Sequence, residues 1–206
     1  MPLREELLTL TGVRDIQSIE TLIELLRTRT GSPVSANSLA RDLQKSPNTV
    51  RHWLQLLEDL YVIFKLVPYH KNIARSLLKE PKYYFYDNGM VQGDEGARLE
   101  NLVACALLKE IQRAQDVDGV NLGLQFLRTK DGHEIDFLVT REQQPIQLIE
   151  VKWKDATLSR NFKKFLPTEP LSRIQVVGEL AQSKSYPNGE RIEPAQEFLG
   201  VMLVQD

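Results

Sequence analysis

A chain of 206 residues can bury one sizeable core or two modest ones. Hydrophobic residues at 42% and charged residues at 26% are ordinary for a globular protein, and no apolar run approaches the roughly 20 residues of a membrane span. A net charge of −2 gives no overall attraction to nucleic acid, and the single cysteine, Cys105, excludes both an internal disulfide framework and a cysteine-rich zinc site.

The opening MPLREELLTL lacks the long apolar stretch of a secretory signal, so a reducing cytoplasm is the expected setting. Residues 14–29 read as an amphipathic helix, with Ile16, Ile19, Leu22, Ile23 and Leu26 at helical spacing and Gly31 and Pro33 ending it. Ser35 is placed to cap a short second helix holding Leu39, Ala40 and Leu43. In SPNTVRHWLQLLEDL, Ser46 takes the cap position, Pro47 the first helical position, and Val50, Trp53, Leu54 and Leu57 one face. Two helices around a short polar turn make a helix-turn-helix pattern, and the β-formers of YVIFKLVPY and KYYFYD suit a two-stranded wing.

The pattern is that of a winged-helix module over residues 1–90. Asn48, Thr49, Arg51 and His52 occupy the exposed first turns of its recognition helix, where DNA-binding versions meet bases or phosphates, although such modules also serve as protein contacts. Between Lys45 and Lys82 the bases Lys45, Arg51, Lys65, Lys71, Arg75, Lys79 and Lys82 outnumber Glu58, Asp59 and Glu80. That bias suits phosphate contact or, equally, a solvated surface.

Residues 91–206 read differently. ARLENLVACALLKEIQRA is a helix, LQFLRT a short strand, KDG a turn, and HEIDFLVT an alternating strand with Ile135, Phe137 and Val139 on one face and Glu134, Asp136 and Leu138 on the other. After a REQQ turn comes the strand PIQLIEVKW, then a short helix over 158–166 and the strand RIQVVG; FLGVMLV reads as an edge strand or a docking tail. Helices alternating with strands of a mixed sheet make an α/β (α+β) core.

On IEVKW the two-residue period projects Glu150 and Lys152 together, opposite Ile149 and Val151, and the short turn makes the Asp136 strand its antiparallel neighbour. Two adjacent carboxylates repel unless a cation neutralises them, and all-oxygen ligation suits Mg²⁺ or Mn²⁺. Such a cation polarises a phosphodiester and acidifies water, while a nearby lysine orients that water or stabilises developing charge. Glu100 lies along the apolar stripe of its helix, where a carboxylate is costly without a partner, which makes it the fourth member of the group. Arg128 and Lys130, just before the Asp136 strand, are placed either to hold a phosphate or to sit in a solvated loop.

Glu100, Asp136 and Glu150-Val151-Lys152 resemble the motif of the PD-(D/E)xK nuclease superfamily: an acid on the first helix, an Asp on one strand and E-x-K on the next. The longer string FLRTKDGHEIDFLV…IQLIEVKW, with SLARDL…TVRHWLQLLEDLYVIFKLVPYH and KYYFYDNGM, is similar to bacterial and archaeal proteins in which an AAA-type ATPase domain precedes a winged helix and a nuclease-like DUF4143 region. The resemblance covers most of residues 11–178 and implies a restriction-endonuclease-like core. It also implies Mg²⁺- or Mn²⁺-dependent hydrolysis of DNA, with Asp136, Glu150 and Glu100 at the metal and Lys152 beside it. The family's phosphate loop has no counterpart here, so an ATPase partner, or an ATPase domain encoded in frame, is expected. The rival expectation is a non-catalytic DNA-binding, regulatory or protein-interaction module of a split or truncated ATPase.

Overall fold

The computed structural model describes residues 15–70, 79–129, 131–165 and 171–203, with side chains to Val201. The amino-terminal decapeptide, and Lys71, Arg75 and Lys130 among the expected phosphate contacts, lie outside these residues. Among the described residues no helix is long and apolar enough to cross a membrane.

The first helix, α1 (Ile16–Arg27), starts where the Asp15 carboxylate accepts the Ser18 N–H. Ser35 and Ser46 cap α2 (Ala36–Leu43) and α3 (Pro47–Asp59) in the same way, as the sequence predicts. Trp53, Val50, Leu54 and Leu57 turn inward from α3 onto Ile19, Leu22 and Leu26 of α1 and Leu39 of α2. A hairpin follows, β1 (Ile63–Leu66) antiparallel to β2 (Lys82–Phe85).

The period of two in this hairpin divides its side chains between two cores. Ile63, Tyr83 and Phe85 complete the helical core, whereas Phe64, Leu66 and Tyr84 enter a second core with the long helix α4 (Glu95–Asp118). Asn101 of α4, wholly buried, fastens the hairpin: its amide accepts the Phe85 N–H at 2.8 Å and donates to the Phe85 carbonyl at 3.0 Å.

The second core is covered by a mixed sheet of β3 (Leu122–Arg128), β4 (Glu134–Arg141), β5 (Gln144–Lys152), β6 (Ser172–Val177), β7 (Lys184–Ser185) and β8 (Glu190–Pro194). Its order is β3-β4-β5-β6-β8-β7. β3, β4 and β5 form an antiparallel meander, and β5, β6 and β8 run parallel. The β4–β5 turn places Glu142 and Gln143 at φ of 49° and 65°, the left-handed pair that a two-residue hairpin turn needs. The chain leaving β1 reaches the edge of β3, where Phe126 donates to the Val67 carbonyl at 3.3 Å and accepts the Tyr69 N–H at 2.7 Å.

Three expectations change. The strict alternation over HEIDFLVT is broken by a β-bulge: Asp136 and Phe137 together oppose Phe126, between the pairs Gln125↔Leu138 and Leu127↔Ile135. Phe137 and Val139 therefore face α4, and Ile135 joins Leu138 on the opposite side with Leu148, Phe162 and Leu171. The helix expected over 158–166 is a single 3-10 turn, Arg160–Lys163. The terminal apolar segment is not a strand but a helix, α5 (Ala195–Leu203), that docks on α4.

Candidate functional site

The β4–β5 ladder ends, toward the start of β4, at Phe137↔Ile149. Past that pair the strands part, and the Val151 N–H donates to Asp136 Oδ2 at 2.8 Å in place of a strand carbonyl. Asp136 and Glu150 flank this fork and are 9% and 2% exposed. Ile149 and Val151 face α4 as expected, so Glu150 and Lys152 point the other way; Lys152 Nζ lies 2.9 Å from Glu150 Oε1. Ser159 Oγ and Asn161 Nδ2 donate to the same oxygen at 3.3 and 3.4 Å. Gln175 of β6 steadies the loop that delivers them, accepting the Ser159 N–H and donating to the Asp155 and Thr157 carbonyls. Glu150 Oε2 is buried and, among the described residues, has no hydrogen-bond partner.

Glu100 approaches from α4. Its Oε1 accepts the Tyr84 hydroxyl at 2.7 Å and an N–H of Lys82 at 3.3 Å. Lys82 went unrecognised as a site residue in the sequence. It is 1% exposed, and its ammonium also meets Glu134 Oε1 at 2.5 Å and Asp136 Oδ1 at 3.8 Å. Gly31 lies against the same carboxylate: a Cβ there would come within 2.7 Å of Glu100 Oε1, and its φ of +73° is one that side chains rarely adopt.

These contacts set the electrostatics. Burial, then repulsion from Asp136, raises both Glu100 and Glu150 to about 7, well above an ordinary glutamate. Burial disfavours the charge on Lys82, yet Glu100, Asp136 and Glu134 outweigh it and hold the ammonium firmly protonated. Lys152 is likewise raised, Glu150 and Asp136 outweighing its burial.

The structure thus gathers all four expected residues, Glu100, Asp136, Glu150 and Lys152, and adds Lys82, Tyr84, Ser159 and Asn161. Among the described residues, no three acidic, histidine or cysteine side chains are arranged to hold a metal ion. The pair Asp136–Glu150, with its unpartnered buried oxygen, fits the one or two carboxylates that Mg²⁺ takes from protein while keeping several waters. Glu100 is instead engaged by Tyr84 and Lys82.

The expected DNA contacts form a separate group. Asn48, Arg51 and His52 are exposed on the first turns of α3, Thr49 is half-buried against its cap Ser46, and Arg51 donates to Asn48 and Asn37. Arg128 is exposed and pairs with Glu134 Oε2 at 3.3 Å, linking the surface to the Lys82 cluster. Of the basic run, Lys45 is paired with Asp15, Lys65 with Glu58, and Lys82 is buried, so the surface is less basic than the residue count implies.

The segment carrying Glu100, Glu134, Asp136, Glu150 and Lys152 has known relatives. Residues 95–196 match the domain of unknown function DUF4143. Residues 3–96, which carry Gly31, Lys82 and Tyr84, match the domain of unknown function DUF8612. The chain is 28% identical over 155 residues to an uncharacterized protein of Haemophilus influenzae, covering 69% of this chain and 36% of that one. It is 25% identical over 154 residues to the uncharacterized proteins Mb2031c of Mycobacterium bovis and Rv2008c of Mycobacterium tuberculosis, covering 71% of this chain and 35% of each. It therefore spans about a third of the length of these curated relatives. No solved structure matches. The DUF4143 segment supplies every carboxylate of the cluster, and the DUF8612 segment supplies the lysine that three of them share.

Proposed function

We propose that this chain is a cytoplasmic DNA-directed protein whose DUF4143 segment is a PD-(D/E)xK nuclease-like core hydrolysing phosphodiester bonds with Mg²⁺ or Mn²⁺. Its amino-terminal helices and hairpin act as a winged-helix module. The observation that carries this reading is the fork at Asp136 and Glu150: two buried carboxylates side by side, one with an unpartnered oxygen, and Lys152 on the open side of Glu150. Asp136 and Glu150 would hold the cation, which when bound supplies charge neutralisation at the phosphate and acidifies water. Lys152, 41% exposed along its side chain, is the group able to reach both Glu150 and an incoming phosphodiester, where its charge opposes the negative charge that builds up on the phosphorus oxygens. Ser159 and Asn161 orient Glu150, and Glu100 holds Lys82. Asn48, Thr49, Arg51, His52 and Arg128 are the DNA-contacting candidates.

We further propose that the chain works with an ATPase domain of the AAA type, either as a separate partner or in the same longer protein.

A second reading, a non-catalytic DNA-binding or regulatory module, draws on Lys82: an ammonium locked among three acids offsets part of their charge with no metal ion. Incubating DNA with the chain and millimolar Mg²⁺ separates the two. Cleavage that Asp136→Asn and Lys152→Met both abolish supports the nuclease; salt-dependent DNA binding with no cleavage supports the module.

A further inference from the structure

The Lys82 ammonium touches acids from two elements of the DUF4143 segment, Glu100 on α4 and Glu134 and Asp136 on β4, while its own strand belongs to the hairpin. It sits 5.3 Å from the centroid of the Phe126 ring, and its side chain is almost wholly out of water. A charge so placed costs several kcal/mol unless its partners are fixed around it. They are fixed here: Asn101 ties the end of β2 to α4, and Tyr84, two residues on and on the same face of β2, bonds the same Glu100 oxygen as Lys82.

Asp136 divides the cluster. Its Oδ1 faces Lys82, and its Oδ2 faces the β5 backbone beside Glu150. On the Lys82 side Glu100 Oε1 and Glu134 Oε1 are already met by a cation. On the β5 side Glu150 Oε2 is buried and, among the described residues, has no hydrogen-bond partner. Many phosphoryl-transfer sites use two metal ions about 3.5–4 Å apart to stabilise the attacking and leaving oxygens.

We propose that Lys82 is the resident cation of the Glu100–Glu134 side, standing where a second metal ion would otherwise be needed, so that the site takes a single divalent ion on Asp136 and Glu150. This rests on the metal-dependent reading above and goes beyond it by setting the number of ions and making the DUF8612 segment a part of the site. Lys82 is thus a positioning residue: it holds Asp136 Oδ1 and leaves the rest of that carboxylate turned toward Glu150.

Calorimetric titration of the full chain with Mn²⁺, with free Mn²⁺ counted by paramagnetic resonance, tests this without any cleavage assay. One ion per chain is expected, weakened at least about tenfold by Glu150→Gln and still bound as a single ion by the double variant Glu100→Gln/Glu134→Gln, because those acids serve Lys82 and not the ion. Lys82→Met is expected to take up a second ion and to melt at a lower temperature without Mn²⁺ than with it. Should that variant fail to fold, the Glu100→Gln/Glu134→Gln result decides alone. Two ions on the wild type, or one ion lost from the Glu100→Gln/Glu134→Gln chain, overturns the assignment of Lys82 and leaves the metal-dependent reading standing. No ion on the wild type or on Lys82→Met removes that reading itself.

Discussion

Asp136 accepts the N–H of Val151 at 2.8 Å, so one carboxylate does the work of a missing ladder bond at the point where β4 and β5 diverge. The bulge at Asp136 and Phe137 brings this about, because it lets Asp136 sit at the fork while Phe137 still packs on α4. Chemistry and fold are therefore coupled at one residue, and substitutions there separate the two.

Asp136→Ala orphans the buried Val151 N–H and is expected to lose about 1–3 kcal/mol of stability. Asp136→Asn keeps an acceptor in place and should lose markedly less. Both should abolish Mn²⁺ uptake. Urea melts of the two variants side by side check this, and equal stabilities would show that the bond to Val151 contributes nothing.

Lys152→Met should leave the fold and Mn²⁺ affinity nearly unchanged, since this side chain is the most open of the group. DNA cleavage should fall on the order of 10²-fold or more, as removal of a group that stabilises developing charge does elsewhere. Cleavage rates measured at saturating Mg²⁺ make the comparison, and a variant that cleaves at the wild-type rate would remove Lys152 from the chemistry.

Glu100 and Glu150 are both raised to about 7 from 4.5 in the folded chain. Between those values the folded state keeps protons that the unfolded state has released, so their contribution to stability is full below about 4.5, declines as pH rises, and levels off above about 7. Glu100→Gln removes one of the two titrations. In metal-free buffer the wild type should therefore lose more stability than Glu100→Gln between pH 5 and pH 8. Identical slopes for the two chains would contradict this account of Glu100.

Asn101→Ala leaves the Phe85 N–H without its partner, at about 1–3 kcal/mol, while the Phe85 carbonyl keeps the Cys105 thiol at 3.2 Å. Gly31→Ala acts on the same junction from the other side, forcing a Cβ toward Glu100 at a left-handed φ, and should cost about 1–2 kcal/mol. Thermal melts should rank both variants below the wild type; a Gly31→Ala chain at least as stable as the wild type would mean that the Glu100 carboxylate moves aside freely.

How much of this was legible in the sequence depended on range. Ser35, Ser46 and Pro47 announce their helices because a cap acts within three residues. Glu150 and Lys152 announce their shared side because the strand period is local, and a short turn fixes the neighbour of β5. The bulge at Asp136–Phe137 has no such local mark, since its cause is the pairing with Phe126 ten residues earlier. Lys82 reads as one more surface base at the head of KYYFYD, because its three acids, Glu100, Glu134 and Asp136, lie far along the chain. The strand β8 went unread because Glu190 and Arg191 mask it, although Glu190 is buried. The helix α5 is hard to tell from an edge strand or a docking tail because its apolar residues run together; the acid in its first turn, Glu197, is the local sign of a helix.

The hairpin between β1 and β2 has a bearing on ancestry. Sequence comparison cuts the chain at residues 95–96, yet Phe64, Leu66 and Tyr84 lie before that cut and fill the core that lies after it. A recombination event at the family boundary would deliver a DUF4143 segment whose long helix has lost its lid and whose acids have lost their lysine. In this chain the two matched segments depend on each other: a change at Lys82 leaves Glu100, Glu134 and Asp136 without the cation they share.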